Sequence, residues 1–463
     1  FKKNLFIFGT IFGFSFYFSG IHWITQSLTF DENFKILIPF ALILIPLFLS
    51  LFSALTTLLV GPYLNFNFSS LLIFSVGFSF SDFVRAKILT GFPWNLWAYS
   101  TSWMNDILQI VNPIGLYSYN LLVINFFVLP IIIFFKISLF KKIFSFTSAI
   151  LIILSLYLYG NYEINKNTQF LDRNNKKVYV KIISPNFDLE YGLNQQTIKN
   201  RFNKLIKYSE PNKDKKTLFI WPEGVFSGYS YEEILLFKKL ISENFSKNHL
   251  IIFGANTEKT QNNKKYYFNS LLIIDSDMNI ISQYNKQKLV PFGEFLPFEN
   301  LLKKIGLKKI TEGYNSFTRG KNDSIITINF NNKIINIMSL ICYEIIFPKF
   351  SENKQKNLNF IVNISEDAWF GNSIGPQQHF VKAIYRAIEN GSYTLRSANM
   401  GVSAFISPTG KILKILNSTE AGNIEMDLPV IKSKNNNTNK GLIFTLLLII
   451  YAITFLLLKK FKL

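Results

Sequence analysis

Cysteine, histidine and acidic residues are scarce in this chain of 463 residues. It contains one cysteine, Cys342, and three histidines, and its 29 Asp and Glu residues face 49 Lys and Arg residues. A single cysteine excludes an intramolecular disulfide and any metal site built from several thiolates. Any chemistry at Cys342 therefore proceeds without a second thiol.

Charged residues of both signs make up only 17% of the chain, whereas hydrophobic residues make up 49% and the mean hydropathy is +0.21. Long segments before Gly160 carry almost no charge, while the middle of the chain is rich in Lys, Asn and Glu. This uneven distribution predicts one membrane-embedded part and one globular part.

The basic excess gives a formal net charge of +20. No nucleic-acid-binding motif accompanies this charge, and we expect no nucleic-acid partner. Two interpretations remain open. The charge forms a solvated surface rich in Lys and Asn, or it attracts the chain to the anionic headgroups of membrane lipids.

Six apolar runs approach the length of roughly 20 residues that a helix needs to cross a bilayer. They cover residues 5–24, 36–60, 66–84, 121–135, 143–159 and 442–458. The first run is too long and too aromatic for the apolar core of a cleaved signal peptide. Because the chain opens with Phe1, we interpret this run as a membrane helix of a chain that lacks its original N-terminus.

Lysine clusters predict the orientation of these runs. They occur at residues 2–3, 136–142 and 459–462, which share one side if every run crosses once, and such clusters favour the cytoplasmic side. We therefore expect helices in residues 1–160, an extracytoplasmic globular domain in 161–440, and a final helix with a cytoplasmic basic tail in 441–463. These features predict a multi-pass membrane protein.

Short β-rich runs alternate with amphipathic, Lys-rich stretches in the polar region. The runs cover residues 178–183, 217–221, 250–253, 270–274, 325–328, 334–341 and 360–364. Such alternation is typical of a layered α/β domain.

Three residues beside these runs supply a set of groups for acyl transfer. Taken singly, a free cysteine is usually an inert core thiol, and an isolated charge is usually solvated. Together, Glu223 can take the proton of the Cys342 thiol, and Lys286 can stabilise the thiolate and the oxyanion that follows. His22, His249 and His379 offer a Cys-His alternative, but none of them ends a comparable strand.

The motifs around these residues resemble the Glu-Lys-Cys triad of the carbon-nitrogen hydrolase superfamily. They are Trp221-Pro222-Glu223, Tyr284-Asn285-Lys286 continuing to Val290-Pro-Phe-Gly-Glu294, and Cys342-Tyr343-Glu344. The resemblance implies a four-layer α/β/β/α sandwich, here joined to a multi-span helical membrane bundle.

Further segments are similar to one branch of that superfamily, the apolipoprotein N-acyltransferases. They are Arg85 with Thr90-Gly-Phe-Pro-Trp94, and the stretch after the cysteine from Asn363 to Gly401. The family generally has eight spans, two more than this chain shows. It also usually has His at the position of Lys288, and a tryptophan several residues after Ser184-Pro-Asn186 that is absent here.

The resemblance implies that Cys342 takes a fatty acyl group from a glycerophospholipid and passes it to the N-terminal diacylglyceryl-cysteine of an apolipoprotein. It implies that Glu294 and Glu344 orient Lys286 or assist proton transfer, without a metal or cofactor. Tyr343 would line the acyl pocket, or it simply packs within a strand. A membrane-tethered amidase or nitrilase acting on a soluble amide, and a catalytically silent lipid-binding protein, are the alternatives.

Overall fold

Two compact units make up the protein. The computed structural model describes residues 1–172, 176–190, 192–299, 316–321, 323–348, 358–433 and 438–460, so Lys462 of the terminal lysine cluster lies outside the described residues. One unit comprises Phe1–Asn167 with Asn435–Leu463, and the other comprises Thr168–Lys434. The second unit therefore lies in the sequence between two long apolar helices of the first.

The first unit is helical. Its described helices are α1 (Lys2–Ile21), α2 (Ile38–Val60), α3 (Phe68–Arg85), α4 (Asn105–Leu108), α5 (Val111–Ile114), α6 (Leu116–Val128), α7 (Leu139–Asp172) and α12 (Lys440–Lys460). Six segments among the described residues are long and apolar enough to cross a membrane, which confirms the six predicted runs. At Pro130 the helical segment changes from α6 into a 3-10 helix, because proline cannot donate the helical hydrogen bond.

Small residues allow close helix packing in this unit. A Cβ on Gly9 would lie 2.7 Å from the Ala54 Cα, and one on Gly13 would lie 2.9 Å from the Ser50 Cα. Larger residues at these two positions of α1 would push it away from α2. Membrane helices associate through such close van der Waals contact, because lipid provides little hydrophobic driving force between them.

A buried ion pair fixes the end of α3. Arg85 is 2% exposed, and its Nη2 lies 2.8 Å from Asp82 Oδ1. The guanidinium also donates to the carbonyls of Phe92 and Asn95, and Asn120 donates to Asp82 Oδ2 over 3.0 Å. Arg85 therefore does not extend towards solvent, and it ties the loop at residues 92–95 to α3.

The second unit contains two six-stranded sheets. The first has the order β12-β1-β2-β3-β4-β5 and the second has the order β11-β10-β9-β8-β7-β6. Their bounds are β1 (Lys177–Ser184), β2 (Thr217–Ile220), β3 (His249–Gln261), β4 (Lys264–Ile274), β5 (Ile280–Asn285), β6 (Ile325–Phe330), β7 (Lys333–Ile341), β8 (Phe360–Glu366), β9 (Tyr393–Asn399), β10 (Ser403–Ile406), β11 (Ile412–Leu416) and β12 (Gly422–Pro429).

Apolar residues from the facing sides of both sheets form one core, for example Ile220, Leu271, Ile337 and Ile364. A second core lies between the first sheet and the helices α8 (Gln195–Ser209), α9 (Tyr231–Ile234) and α10 (Lys238–Asn244). Helix α11 (Gly375–Asn390) contacts β9 and β10 of the second sheet. These layers are the predicted α/β/β/α sandwich.

Each of the seven predicted runs lies in or overlaps a strand, but the described residues contain five further strands that were not predicted. Strand β9 is buried although it contains Arg396 and Asn399, because these two side chains are hydrogen-bonded inside the domain. Strands β5, β11 and β12 are polar or partly exposed, and β10 has only four residues.

Parallel pairing determines where the functional side chains gather. Strands β1, β2 and β3 run parallel in the first sheet, as do β7, β8 and β9 in the second. The residues that follow β2 and β7 include Glu223 and Cys342. Carboxyl ends of parallel strands are the usual location of active sites in such sheets.

Candidate active site

Glu223 stands two residues beyond β2 and approaches the neighbouring strand closely. A Cβ on Gly254 of β3 would lie 2.8 Å from the Glu223 Cα, so only glycine leaves room there. The carboxylate is 8% exposed. Its Oε2 accepts the main-chain N–H of Glu366 over 3.1 Å, which fixes the carboxylate in one orientation.

Lys286 follows β5 and is 1% exposed. Its Nζ lies 2.9 Å from Glu294 Oε1 and 3.4 Å from Glu223 Oε1. Burial alone would lower the pKa of Lys286, but the Glu223 and Glu294 carboxylates outweigh burial and raise this pKa above its usual value. The side chain therefore remains an ammonium ion at neutral pH.

Asn269 is the fourth residue of this cluster, and it was not predicted from the sequence. Its Nδ2 donates to Glu223 Oε1 and to Glu294 Oε1, each over 2.7 Å. Glu294 Oε2 also accepts the N–H of Val290 over 2.8 Å. Asparagine is depleted in β-strands, so its presence in β4 was the sequence feature that could have indicated a functional role for Asn269.

Cys342 directly follows β7 and has a φ of +48°, a conformation that non-glycine residues adopt at an energetic cost. Burial raises the pKa of its thiol, and Glu223 raises it further, whereas Lys286 and a hydrogen bond with Ser365 act in the opposite direction. Because Glu223 and Lys286 both act on this thiol, the three groups lie in one site. The thiol is protonated at rest and needs a base before it can attack.

Two family models match the chain. The model of the apolipoprotein N-acyltransferase N-terminal domain matches residues 1–129, and the carbon-nitrogen hydrolase model matches residues 191–436. The apolipoprotein N-acyltransferase of Rickettsia prowazekii is 32% identical, over 91% of this chain and 83% of its own length. The chain belongs to the apolipoprotein N-acyltransferase family.

Two further comparisons concern a second relative and a solved structure. The apolipoprotein N-acyltransferase of Brucella melitensis is 30% identical, over 91% of this chain and 79% of its own length. Among solved structures, Saccharomyces cerevisiae Nit3, a member of branch 10 of the nitrilase superfamily, is 16% identical with a TM-score of 0.39. That similarity covers 55% of this chain and 91% of Nit3. The predicted family and fold class are confirmed by the family models and the two sheets.

In this member of the apolipoprotein N-acyltransferase family, Glu344 joins the lysine loop to the cysteine turn. It is fully buried, and its Oε1 accepts from the Tyr284 hydroxyl at 2.8 Å and from the N–H groups of Gln287 at 2.7 Å and Lys288 at 3.0 Å. Its Oε2 accepts from the N–H of Ile341 at 2.9 Å. Glu344 thus acts on Lys286 through the main chain, whereas Glu294 contacts its ammonium directly.

Tyr343 lies in the short 3-10 helix Cys342–Ile346, so the expectation of packing within a strand is wrong. The ring is 7% exposed and packs edge-on against Phe347 at 5.1 Å between ring centres. The Lys288 ammonium lies 4.9 Å from the centre of the same Phe347 ring. Lys288, where the family usually has His, therefore packs against the residues that follow the cysteine.

Each of the three histidines contacts a main-chain carbonyl oxygen. His249 binds the Asn212 carbonyl through Nε2 at 2.8 Å, and His22 contacts the Ser19 carbonyl within the helical unit. His379 lies 3.3 Å from the main-chain carbonyl oxygen of Cys342. The Cys-His interpretation therefore receives no support from these contacts.

Replacing Lys286 with Met keeps most of the side-chain length and leaves two buried carboxylates without their cation. Breaking a buried pair in this way costs roughly 3–5 kcal/mol. We therefore expect Lys286→Met to be less stable than the wild type near neutral pH.

Thermal unfolding at neutral pH measures this effect. Lys265→Met is the matched control, because the Lys265 side chain is 57% exposed and its pair with Glu258 contributes little. Equal stability of Lys286→Met and the wild type at neutral pH would contradict the expectation.

The raised pKa of the buried Glu344 carboxyl predicts that the stability of the protein depends on pH. Burial raises the pKa of this carboxyl to about 7, although three main-chain N–H groups and Lys286 oppose the shift. The folded protein therefore binds a proton that the unfolded chain releases near its ordinary value of 4.5. This contribution to stability is complete below that value and is lost as the pH rises through about 7.

We expect the fall in unfolding temperature between acidic and alkaline pH to be smaller in Glu344→Gln than in the wild type. Glu243→Gln, at a side chain 57% exposed, is the control and should keep the wild-type slope. If the unfolding temperature of Glu344→Gln depends on pH as steeply as that of the wild type, the Glu344 carboxyl is not the source of that dependence.

Proposed function

We propose that this protein transfers a fatty acyl group from a glycerophospholipid to the α-amino group of the diacylglyceryl-cysteine at the N-terminus of an apolipoprotein. Cys342 carries the acyl group as a thioester between the two half-reactions. The observation that carries the proposal is the grouping of a carboxylate, an ammonium and a protonated thiol in one buried site, within a chain of this family.

In the first half-reaction, Glu223 accepts the thiol proton while the sulfur attacks the ester carbonyl of the phospholipid. The tetrahedral oxyanion is stabilised by the Lys286 ammonium and the N–H of Tyr343. When the intermediate collapses, the carbon–oxygen bond of the ester breaks. Glu223 then returns the proton to the departing lysophospholipid alkoxide.

In the second half-reaction, the neutral α-amine of the apolipoprotein attacks the thioester carbonyl. The same donors stabilise the second oxyanion, and Glu223 takes a proton from the attacking nitrogen. Breaking the carbon–sulfur bond leaves an amide and a Cys342 thiolate, which regains its proton from Glu223. Every proton is accounted for without a metal or a cofactor.

Supporting roles follow from the contacts. Glu294 keeps the Lys286 ammonium in place, and Asn269 holds both carboxylates at a fixed separation. Glu344 fixes the chain on either side of the site. Tyr343, directly after the nucleophile, is assigned to the wall of the acyl pocket.

Both substrates of this reaction are anchored in the membrane. The catalytic unit is joined through α7 and α12 to helices that can cross a bilayer. A tethered catalyst meets its lipid substrates at a higher effective concentration than a freely diffusing one. We assign the catalytic unit to the extracytoplasmic face of the inner membrane, because lysines at both ends of the chain favour the cytoplasm.

Reporter fusions test this orientation. A reporter fused after Lys440, at the start of α12, should be active in the periplasm, and a reporter fused after Lys460 should be active in the cytoplasm. A fusion at Lys440 that is active only in the cytoplasm would reverse the orientation.

The mass of the intact protein tests for the thioester. With one sulfhydryl in the chain, protein incubated with phospholipid alone should gain one acyl mass that neutral hydroxylamine releases. Cys342→Ala should not form the adduct. Adding an apolipoprotein should then yield N-acylated product at the expense of the adduct.

Four outcomes would contradict the proposal. An adduct that persists in Cys342→Ala places the acyl group on another residue, and product without any adduct indicates direct transfer. Turnover of soluble amides with no transfer from phospholipid would indicate a membrane-tethered amidase. Absence of any turnover would indicate a lipid-binding protein.

A further inference from the structure

A second buried carboxyl lies against Glu223 and takes no part in the proton transfers above. Glu366 is the last residue of β8 and is 4% exposed. Its main-chain N–H donates to Glu223 Oε2 over 3.1 Å. Its side chain lies over the residue that follows Glu223, since a Cβ on Gly224 would be 2.4 Å from Glu366 Oε2. Glu366 therefore contacts both the carboxylate of Glu223 and the chain that carries it.

The two oxygens of the Glu223 carboxylate have different partners. Oε1 accepts from Asn269 Nδ2 at 2.7 Å and lies 3.4 Å from Lys286 Nζ. Among the residues that the structure describes, the N–H of Glu366 is the one donor to Oε2. Because a carboxylate oxygen can accept two hydrogen bonds, Oε2 has a position left for the proton of Cys342. The Glu366 N–H therefore orients the oxygen that is best placed to act as the base.

Hydrogen bonds hold the Glu366 side chain in turn. Its Oε1 accepts from the N–H of Ala368 at 3.1 Å, which caps the short 3-10 helix Asp367–Phe370. Asn399 Nδ2, at the end of β9, lies 2.9 Å from Oε1 and 3.0 Å from Oε2. The side chain thus fixes the turn after β8, and with it the direction of the Glu366 N–H.

The surroundings of Glu366 keep its carboxyl uncharged. Burial raises the pKa of Glu366 well above its ordinary value, and the neighbouring Glu223 and Asp367 raise it further, although Asn399 and the Ala368 N–H act in the opposite direction. Two carboxyls in such contact do not both ionise readily. Glu223 has the Lys286 ammonium as a partner, whereas the hydrogen-bond donors to Glu366 in the described part of the chain are neutral.

Charged groups on the adjoining elements do not alter this assignment. Asp367 is paired with Arg396 at 2.7 Å, so that guanidinium is engaged elsewhere. Arg201, on α8, faces Glu366, but its guanidinium donates to two main-chain carbonyls, at 3.1 Å and 2.8 Å. A charged base beside a neutral acid is the arrangement that results.

We propose that Glu366 is a positioning residue that acts through Glu223: its uncharged side chain fixes the turn after β8, and its N–H holds Glu223 Oε2 where it can take the Cys342 proton. The inference rests on the proposed function and deepens it. An ionised Glu366 would place a second negative charge beside the base, which favours a protonated Glu223 and opposes formation of the thiolate. Environments that drive two neighbouring carboxyls apart in this way commonly mark an acid–base site.

Infrared difference spectroscopy of the full-length protein tests the charge of Glu366. The wild-type spectrum at pH 7, minus that of Glu366→Gln, should contain the carbonyl band of a protonated carboxylic acid. Glu243→Gln is the control, because this side chain is 57% exposed, and its difference spectrum should contain carboxylate bands instead. Carboxylate bands in the Glu366→Gln difference would overturn the inference.

Two substitutions test the positioning role. The readout is single-turnover acylation of Cys342 by the p-nitrophenyl ester of a fatty acid. Glu366→Gln keeps the length and the uncharged state of the side chain and should acylate close to the wild-type rate. Glu366→Ala removes the cap of the turn, and we expect a fall of roughly 10- to 100-fold, within the ~10²–10⁴ contribution of a general base. Glu233→Ala, which removes a carboxyl that caps α9, is the matched control and should keep the wild-type rate.

A double-mutant cycle with Glu223→Gln separates this role from general damage to the fold. If Glu366 acts through the base, Glu366→Ala should cause no further fall in a Glu223→Gln background, because the group that it positions is no longer a base. Loss of structure would lower the rate by the same factor in both backgrounds. Circular dichroism of each variant checks that the domain is folded.

Several results would overturn the inference. Acylation of Glu366→Ala at the wild-type rate would do so, as would a Glu366→Gln rate no better than that of Glu366→Ala, or equal falls in both backgrounds. A wild-type protein that the nitrophenyl ester acylates but phospholipid does not would contradict the proposed donor alone. Acylation of Glu223→Gln at the wild-type rate would remove the base from the proposed mechanism and this inference with it.

Discussion

A buried ammonium between two carboxylates is the constraint on which the catalytic unit depends. Lys286 is 1% exposed, and a charge at such depth is tolerated only when it is paired and hydrogen-bonded. Glu223 and Glu294 supply the pairing from separate segments, and Asn269 holds their oxygens apart by donating to both. The fold must therefore bring β2, β4 and the loop after β5 to one place.

The same pairing decides how the thiol behaves. A lone lysine beside a cysteine would stabilise the thiolate, but burial and the Glu223 carboxylate that pairs with Lys286 raise the pKa of the Cys342 thiol. Cys342 therefore rests as a thiol, and in the proposed mechanism Glu223 activates it by accepting its proton.

Polar residues are buried on both sides of the cysteine, and each group links layers of the sandwich. Glu344 joins the lysine loop to the end of β7, and Asp367 joins α11 to β9. The helical unit uses the same device independently, where Asp82 and Arg85 fix a loop at the end of α3. In both units a buried ionic contact helps to set the conformation of a segment without regular structure.

Long apolar patterns were readable from the sequence because burial alone determines them. The six membrane runs, the seven apolar strand runs and the strand end at Cys342 follow from hydrophobic period and length. Strand β9 was not readable, since buried polar side chains in it depend on partners distant in sequence, such as Asn363 for Arg396.

The sequence by itself determined the family, the two-part architecture and the residue types of the proposed triad, because motif order and hydrophobic pattern are local properties. Only the tertiary structure decided which groups touch. It placed Asn269 between two carboxylates, connected Glu344 to Lys286 through the main chain rather than the side chain, and brought His379 to the Cys342 carbonyl. These contacts join residues dozens of positions apart, and their distances depend on how the strands pair and the layers pack.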